Sequence, residues 1–349
     1  MLFAKSQTTN MQYKKILREA WTITTRHPAL WFFGFFTGLM TSATSQIEPI
    51  LKDVSGISTS WFFRIKDIAF QQNFLLLLKN FESMFQAFGP FRWVIAVAIP
   101  ILIVFILWVI AAAQGSLIFS VATLSDARNA ANKTSSAKKY NFQRALFAGR
   151  KHAWLIFGLN ILEKGILFLL VMLVFLPFFF EVKTLNENAR TALTPLSFFI
   201  LLPVSIIVGF IIKYASIATV LHNVHLRPAL TTAWILFQKN WLISIETALL
   251  LFVIETLASI VFLLMLTVIA LPLSLFGLFS VFQNFSLLAF GLVLLYILFI
   301  IILLIFFIAL VATFEYATWT LVYRELAQGK KTSKLSRLFH PHIAGERAK

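Results

Sequence analysis

Six ionisable side chains, Glu163, Lys164, Lys213, Glu246, Glu255 and Glu315, interrupt long apolar runs. Charges in such surroundings are costly, so each is a candidate for proton or cation handling, or for an ion pair. Each run can be measured from its basic end at about 1.5 Å per helical residue. Glu246 then lies about 7 Å in, Lys213 and Glu315 about 12 Å, and Glu163 and Lys164 about 14 Å. Glu255 is deeper, at about 21 Å. Depth pairs Lys213 with Glu315 or Glu246 and leaves Glu255 with no partner at its own level. Two readings stay open. One is a set of ion pairs that fix helix register; the other is a hydrated cavity in which Glu255 binds a proton or cation.

Other chemistry is sparse. The chain has no cysteine, which excludes disulfides and thiolate metal sites. His222 and His225 stand a helical turn apart, and His340 and His342 flank Pro341, but zinc needs further ligands in a fixed geometry. The nearest, His152 and His27, fall in other segments. No phosphate-binding glycine loop, nucleophile elbow or His-Glu-x-x-His pattern occurs. The sequence predicts no enzyme, no metal and no cofactor.

The segments that carry these groups are apolar enough to need lipid as solvent. Hydrophobic residues make up 59% of the 349 and charged residues 13%, against roughly half and a quarter in soluble domains; the mean hydropathy is +0.85. A bilayer core of about 30 Å needs roughly 20 helical residues. Residues 93–124, 154–180, 196–221, 241–271 and 285–323 meet that length, and residues 29–46 form a weaker sixth. Trp31-Phe32-Phe33-Gly34-Phe35-Phe36 opens that segment, but Thr41-Ser42-Ala43-Thr44-Ser45 closes it with hydroxyls. Hydroxyls can bond back to helix carbonyls, so a segment facing the bundle can still span. The fold predicted is an all-α, polytopic transmembrane bundle of about six spans, residues 29–323. Prolines 100, 177, 203 and 272 fall in the outer parts of spans, where kinks could splay the helices.

Lys and Arg exceed Asp and Glu, 30 to 14, for a net charge of +16. With six spans and the N-terminus inside, the cytoplasmic pieces carry roughly threefold more Lys and Arg than the outer ones, the direction of the positive-inside rule. Both termini are therefore expected in the cytoplasm of a cell (plasma or inner) membrane: residues 1–28 as an amphipathic segment and 324–349 as a basic tail. Residues 61–88 repeat apolar side chains at a helical period, which predicts an amphipathic cap or lid on the outer face.

One pattern recurs three times. An amphipathic stretch leads to a basic elbow and then to a Trp that opens a span: Trp21, Arg26 and Trp31; Arg150, Lys151 and Trp154; Lys239 and Trp241. The following spans end alike, in Ala122-Thr123, Ala218-Thr219 and Ala317-Thr318. Cations suit anionic lipid headgroups, Trp suits the water–lipid boundary, and small residues let backbones approach. The chain thus reads as three elbow-plus-hairpin units whose partners are the bilayer, anionic headgroups and membrane proteins, not nucleic acid.

Three further features carry a resemblance: Tyr13-x4-Arg18-x-Ala20-Trp21, Trp31-Phe32-Phe33-Gly34 and the closing Ala317-Thr318-Trp319-Thr320-Leu321-Val322-Tyr323. With the elbows, they resemble the membrane domain attached to some bacterial glycerophosphodiester phosphodiesterases and its stand-alone relatives. The catalytic domain some relatives carry has no counterpart here, so the resemblance implies a multi-pass membrane fold and transfers no enzymatic activity. The function expected is a non-enzymatic organiser or scaffold of lipid or partner proteins. The alternative is a small-solute or ion transporter or channel that uses the charged layer.

Overall fold

The first helix, α1 (Tyr13–Arg26), turns one face to the protein: Tyr13, Ile16, Ala20, Ile23 and Thr24 are buried, the spacing of a single helical stripe. It stops at His27-Pro28, because the residue before a proline is pushed out of the helical region; His27 has φ −124° and ψ 75°. The chain restarts at once as α2 (Ala29–Thr44), and Trp31 Nε1 donates to the carbonyl of Thr24 at 2.9 Å. That bond occupies one of the carbonyls a helix end leaves open and sets the angle of the elbow.

The computed structural model describes residues 9–10, 12–44, 92–131, 140–179, 187–282, 286–328 and 331–332. The expected cap at 61–88, His340, His342 and nearly all of the basic tail lie outside them. Long helices follow α2: α3 (Arg92–Ala131), α4 (Phe142–Phe179), α5 (Glu187–His222), α6 (Leu226–Phe282) and α7 (Ser286–Ala327). Among the described residues the secondary structure is helical apart from a two-residue parallel pairing of β1 (Thr9–Asn10) with β2 (Lys331–Thr332). Five of the helices, α3 to α7, are long and apolar enough to cross a membrane. The expected sixth, residues 29–46, is described as α2 over Ala29–Thr44; residues 45 and 46 lie outside the described residues.

The helices pack by a simple rule. α3, α5 and α7 touch one another, while α2 lies against α7 and α3, α4 against α3 and α5, and α6 against α5 and α7. The pairing of β1 with β2 brings both ends of the described chain together at one end of the bundle. This is also the end where α1 and the Trp-bearing elbows gather, and it is called the elbow end below. The two elbows after the first differ. Residues 142–153 run straight into the rest of α4. In α6 a kink at Asn240, φ −134° and ψ 26°, separates elbow from span, and Asn240 Nδ2 donates to the Leu236 carbonyl at 3.0 Å. The helices continue through Pro100 in α3 and Pro272 in α6.

The buried core sits near the elbow end. Leu30, Phe33, Leu117, Ile118, Val121, Ile156, Tyr214, Ile217, Val322 and Tyr323 are almost wholly enclosed. Small residues bring the backbones close. A Cβ on Gly34 of α2 would collide with Thr313 Oγ1 and the Ala309 carbonyl of α7, and one on Gly149 of α4 with Ser116 Oγ and the Ala112 carbonyl of α3. At the opposite, far end, large apolar side chains such as Val97, Leu264, Val268 and Leu294 face outward, as lipid-facing helix surfaces do.

Candidate functional site

Three helices bring three of the six intramembrane charges together. Lys213 Nζ of α5 lies 2.5 Å from Glu315 Oε1 of α7, and Glu255 of α6 is within electrostatic reach of both. The Lys213 ammonium also lies 5.0 Å from the Trp319 ring centroid and 5.8 Å from that of Tyr316, positions that favour a cation over an aromatic face. The Lys213 side chain is about three-quarters buried, with 24% exposed, and that of Glu315 is 10% exposed. Glu255 Oε1 is buried with no hydrogen-bond partner among the described residues. The Glu255–Lys213–Glu315 grouping differs from the single depth layer read in the sequence. Counting along one helix says nothing of its neighbours, so the electrostatic influence of Lys213 and Glu315 on Glu255 was not legible in the sequence.

The other three go elsewhere. Glu246 of α6 accepts a hydrogen bond from the Tyr13 hydroxyl of α1, which ties the first elbow to the third unit. Burial and then the Glu246 carboxylate hold the Tyr13 phenol above the usual tyrosine range, so it is the donor. Lys164 lines a groove of about 380 Å³ on α4 with Leu107, Phe157, Asn160 and Phe168, and Glu163 is its neighbour in sequence, half-buried. Within the bundle these charges are spread over three places: the Lys213–Glu315 pair, Glu246 with Tyr13, and Lys164 with Glu163.

The elbow anchors point outward. Trp21, Trp154 and Trp241 are 51%, 65% and 53% exposed, and Arg26, Arg150, Lys151 and Lys239 are exposed as well. Trp31 differs, half-buried against Phe306 and bonded to α1. His27 packs its ring 5.9 Å from that of Tyr140; burial, then the neighbouring Arg26, lowers its pKa below 6.5. Burial raises the Tyr140 phenol, against the hydrogen bond with Ser120.

Several polar links had no sequence signal. Arg324 of α7 donates to the Ala122 carbonyl at 3.0 Å and pairs with Asp126, both of α3. Ser125 donates to Glu19 at 2.8 Å, and Asn160 to Gln114 at 3.1 Å. Each joins segments far apart in the chain, so no local spacing announces it. The small residue pair Ala122-Thr123 did mark the place where Arg324 reaches a backbone carbonyl.

A cavity of about 810 Å³ opens at the elbow end between α3, α4 and α5. Asn141, Gln143, Arg144, Phe147, Ala148, Lys151 and His152 supply the α4 wall, Val220 and Asn223 the α5 wall, and Phe119 the α3 wall. Among the described residues no group of three His, Asp or Glu is placed to hold a metal ion. No protein-family model, curated protein or solved structure matches this chain.

Proposed function

We propose that this chain is a multi-pass protein of a cell membrane, with both termini in the cytoplasm, that organises anionic lipid and partner proteins at one leaflet without catalysing a reaction. The observation that carries the reading is the outward exposure of Trp21, Trp154 and Trp241 with their neighbouring cations around the elbow end. Trp at the boundary and Lys or Arg beside it are what a leaflet surface binds. The excess of Lys and Arg in the pieces at that end supports its assignment to the cytoplasm. Pairing of Lys213 with Glu315 supports a clamp between α5 and α7 in preference to an open path.

In this reading α2 is the sixth crossing, the shortest, covered by α3 and α7. The three units arose by duplication of one elbow-and-hairpin piece, related to the phosphodiesterase-linked membrane domain it resembles. The burial pattern of the odd spans supports this: Trp31, Phe33 and Thr37 correspond to Trp154, Ile156 and Asn160, and to Trp241, Ile243 and Thr247. In each set the residue two after the Trp is enclosed, and the residue six after it is a buried polar group.

Purified protein reconstituted with a small fraction of fluorescent phosphatidylglycerol provides the test. Self-quenching of the label should rise with protein and fall when Arg26, Lys239 and Lys151 are changed to Gln. Quenching that ignores both protein and substitutions would overturn the reading.

A second reading, transport of a proton or small cation, draws on one observation: Glu255 Oε1 is buried without a hydrogen-bond partner among the described residues, within electrostatic reach of the Lys213–Glu315 pair. Liposome flux that Glu255→Gln abolishes would replace the organiser with this function. Flux no greater than in protein-free vesicles would exclude it.

A further inference from the structure

The cavity at the elbow end is asymmetric in its chemistry. Arg144 and Lys151 are exposed cations in its wall, and no carboxylate is among its lining residues. Its other side is apolar, with Phe147 and Phe119. A free inorganic anion uses only the first surface; a phosphate carried on a greasy tail uses both. The opening also lies where exposed Trp154, on the same helix, belongs at a lipid boundary.

The wall is held in place by contacts between helices. His152 is more than nine-tenths buried; its Nδ1 donates to the Ala148 carbonyl at 2.9 Å, and its Nε2 lies 2.9 Å from the Asn223 side-chain amide. Asn223 follows the last residue of α5 in the left-handed region, φ 54°, a conformation asparagine tolerates at helix ends. The His152–Asn223 contact thus fixes the end of α5 against α4 and keeps the cavity from closing. At the start of α4, Asn141 Oδ1 accepts from the Gln143 amide at 2.9 Å. The helix therefore begins at the cavity edge and turns its positive pole toward it.

Building on the organiser reading, we propose that this cavity is a binding site for the phosphate headgroup of an anionic phospholipid. Arg144 and Lys151 face the phosphate, and Phe147 and Phe119 meet the glycerol and upper acyl carbons. Basic pockets between membrane helices take anionic headgroups for this reason. The site differs from the general leaflet attraction of the elbows because its two cations, Arg144 and the elbow residue Lys151, line one open groove together with an apolar wall.

The test is native mass spectrometry of the full-length protein in detergent, with phosphatidylglycerol, phosphatidylcholine or inorganic phosphate as probes. One tightly retained phosphatidylglycerol is expected, with no retained phosphatidylcholine. The Arg144→Gln, Lys151→Gln double variant should lower retention about thirtyfold, the scale of two headgroup cations. Lys151→Arg in an otherwise unchanged chain should keep it, and unchanged thermal melting of all variants shows that folding is intact. A control pair outside the cavity, Arg26→Gln with Lys239→Gln, should leave the tightly bound lipid in place while lowering quenching in the vesicle assay. Retention unaffected by the cavity pair would overturn the site and leave the organiser reading standing. Displacement of the lipid by millimolar inorganic phosphate would also overturn it, in favour of a free anion. Loss of vesicle quenching with the cavity lipid intact is the converse result, and it supports the site while isolating the elbows' part.

Discussion

The two ends of the bundle are built from similar apolar sequence and do different things. At the elbow end, glycine, alanine, serine and threonine let helices touch, and nearly every enclosed polar side chain reaches a partner on another helix or on its own preceding turn. At the far end, Leu264 and Leu294 are each 60% exposed. Hydrophobicity cannot tell these ends apart, because lipid tails are as apolar as leucine and do not drive helices together. What distinguishes the elbow end is side-chain size and hydrogen-bonding capacity, so association there rests on close approach and on polar links across the bundle.

The sharpest way to break this contrast is to enlarge a contact residue. Gly34→Leu places a side chain where Thr313 and the Ala309 carbonyl already are and should destabilise the bundle by about 3 kcal/mol, the upper part of the range for overpacking. Steric-trapping or thermal-unfolding measurements in detergent would read it, and an unchanged midpoint would remove α2 from the packed core. Tyr13→Phe deletes the hydroxyl that donates to Glu246 across the bundle; a loss of about 1 kcal/mol is expected, with faster proteolysis within α1. Leu264→Ala at the far end should change stability by less than about 0.5 kcal/mol. A larger loss there would mean that the far end is packed too.

The smallest effect expected concerns pH. Burial and Arg26 depress the pKa of His27, so the folded state binds this proton less readily than the unfolded one. Its stability is whole above pH 6.5 and declines as the pH falls through 6.5 toward the depressed value. His27→Gln should remove that decline from a melting-temperature profile, while wild type should show it; identical profiles would show that the His27–Tyr140 contact has no such cost.

Much of the architecture is legible in the residues themselves. Run lengths give the five long helices. The Trp-bearing elbows locate the bends at Pro28 and Asn240. The site is less legible. Lys213 had two partners at suitable depth, and only the packing of α5 against α7 selects Glu315. Tyr13 and Glu246 are 233 residues apart, and nothing local to either states that α1 lies across the bundle. Glu255 fell outside any layer because depth along one helix says nothing about the tilt of its neighbours. The cavity escaped notice for the same reason: Arg144 and Asn223 look like ordinary elbow residues until α4 and α5 are set side by side.

The claim on which the account rests is that the charge pair within the spans holds helices together. A double-mutant cycle on Lys213→Met and Glu315→Leu, read by unfolding in detergent, tests it most directly. Each single change leaves a largely buried charge unmatched and should cost about 3 kcal/mol, while the double variant should recover more than half of that loss. Single variants as stable as wild type, or losses that simply add in the double, would contradict a clamp between α5 and α7.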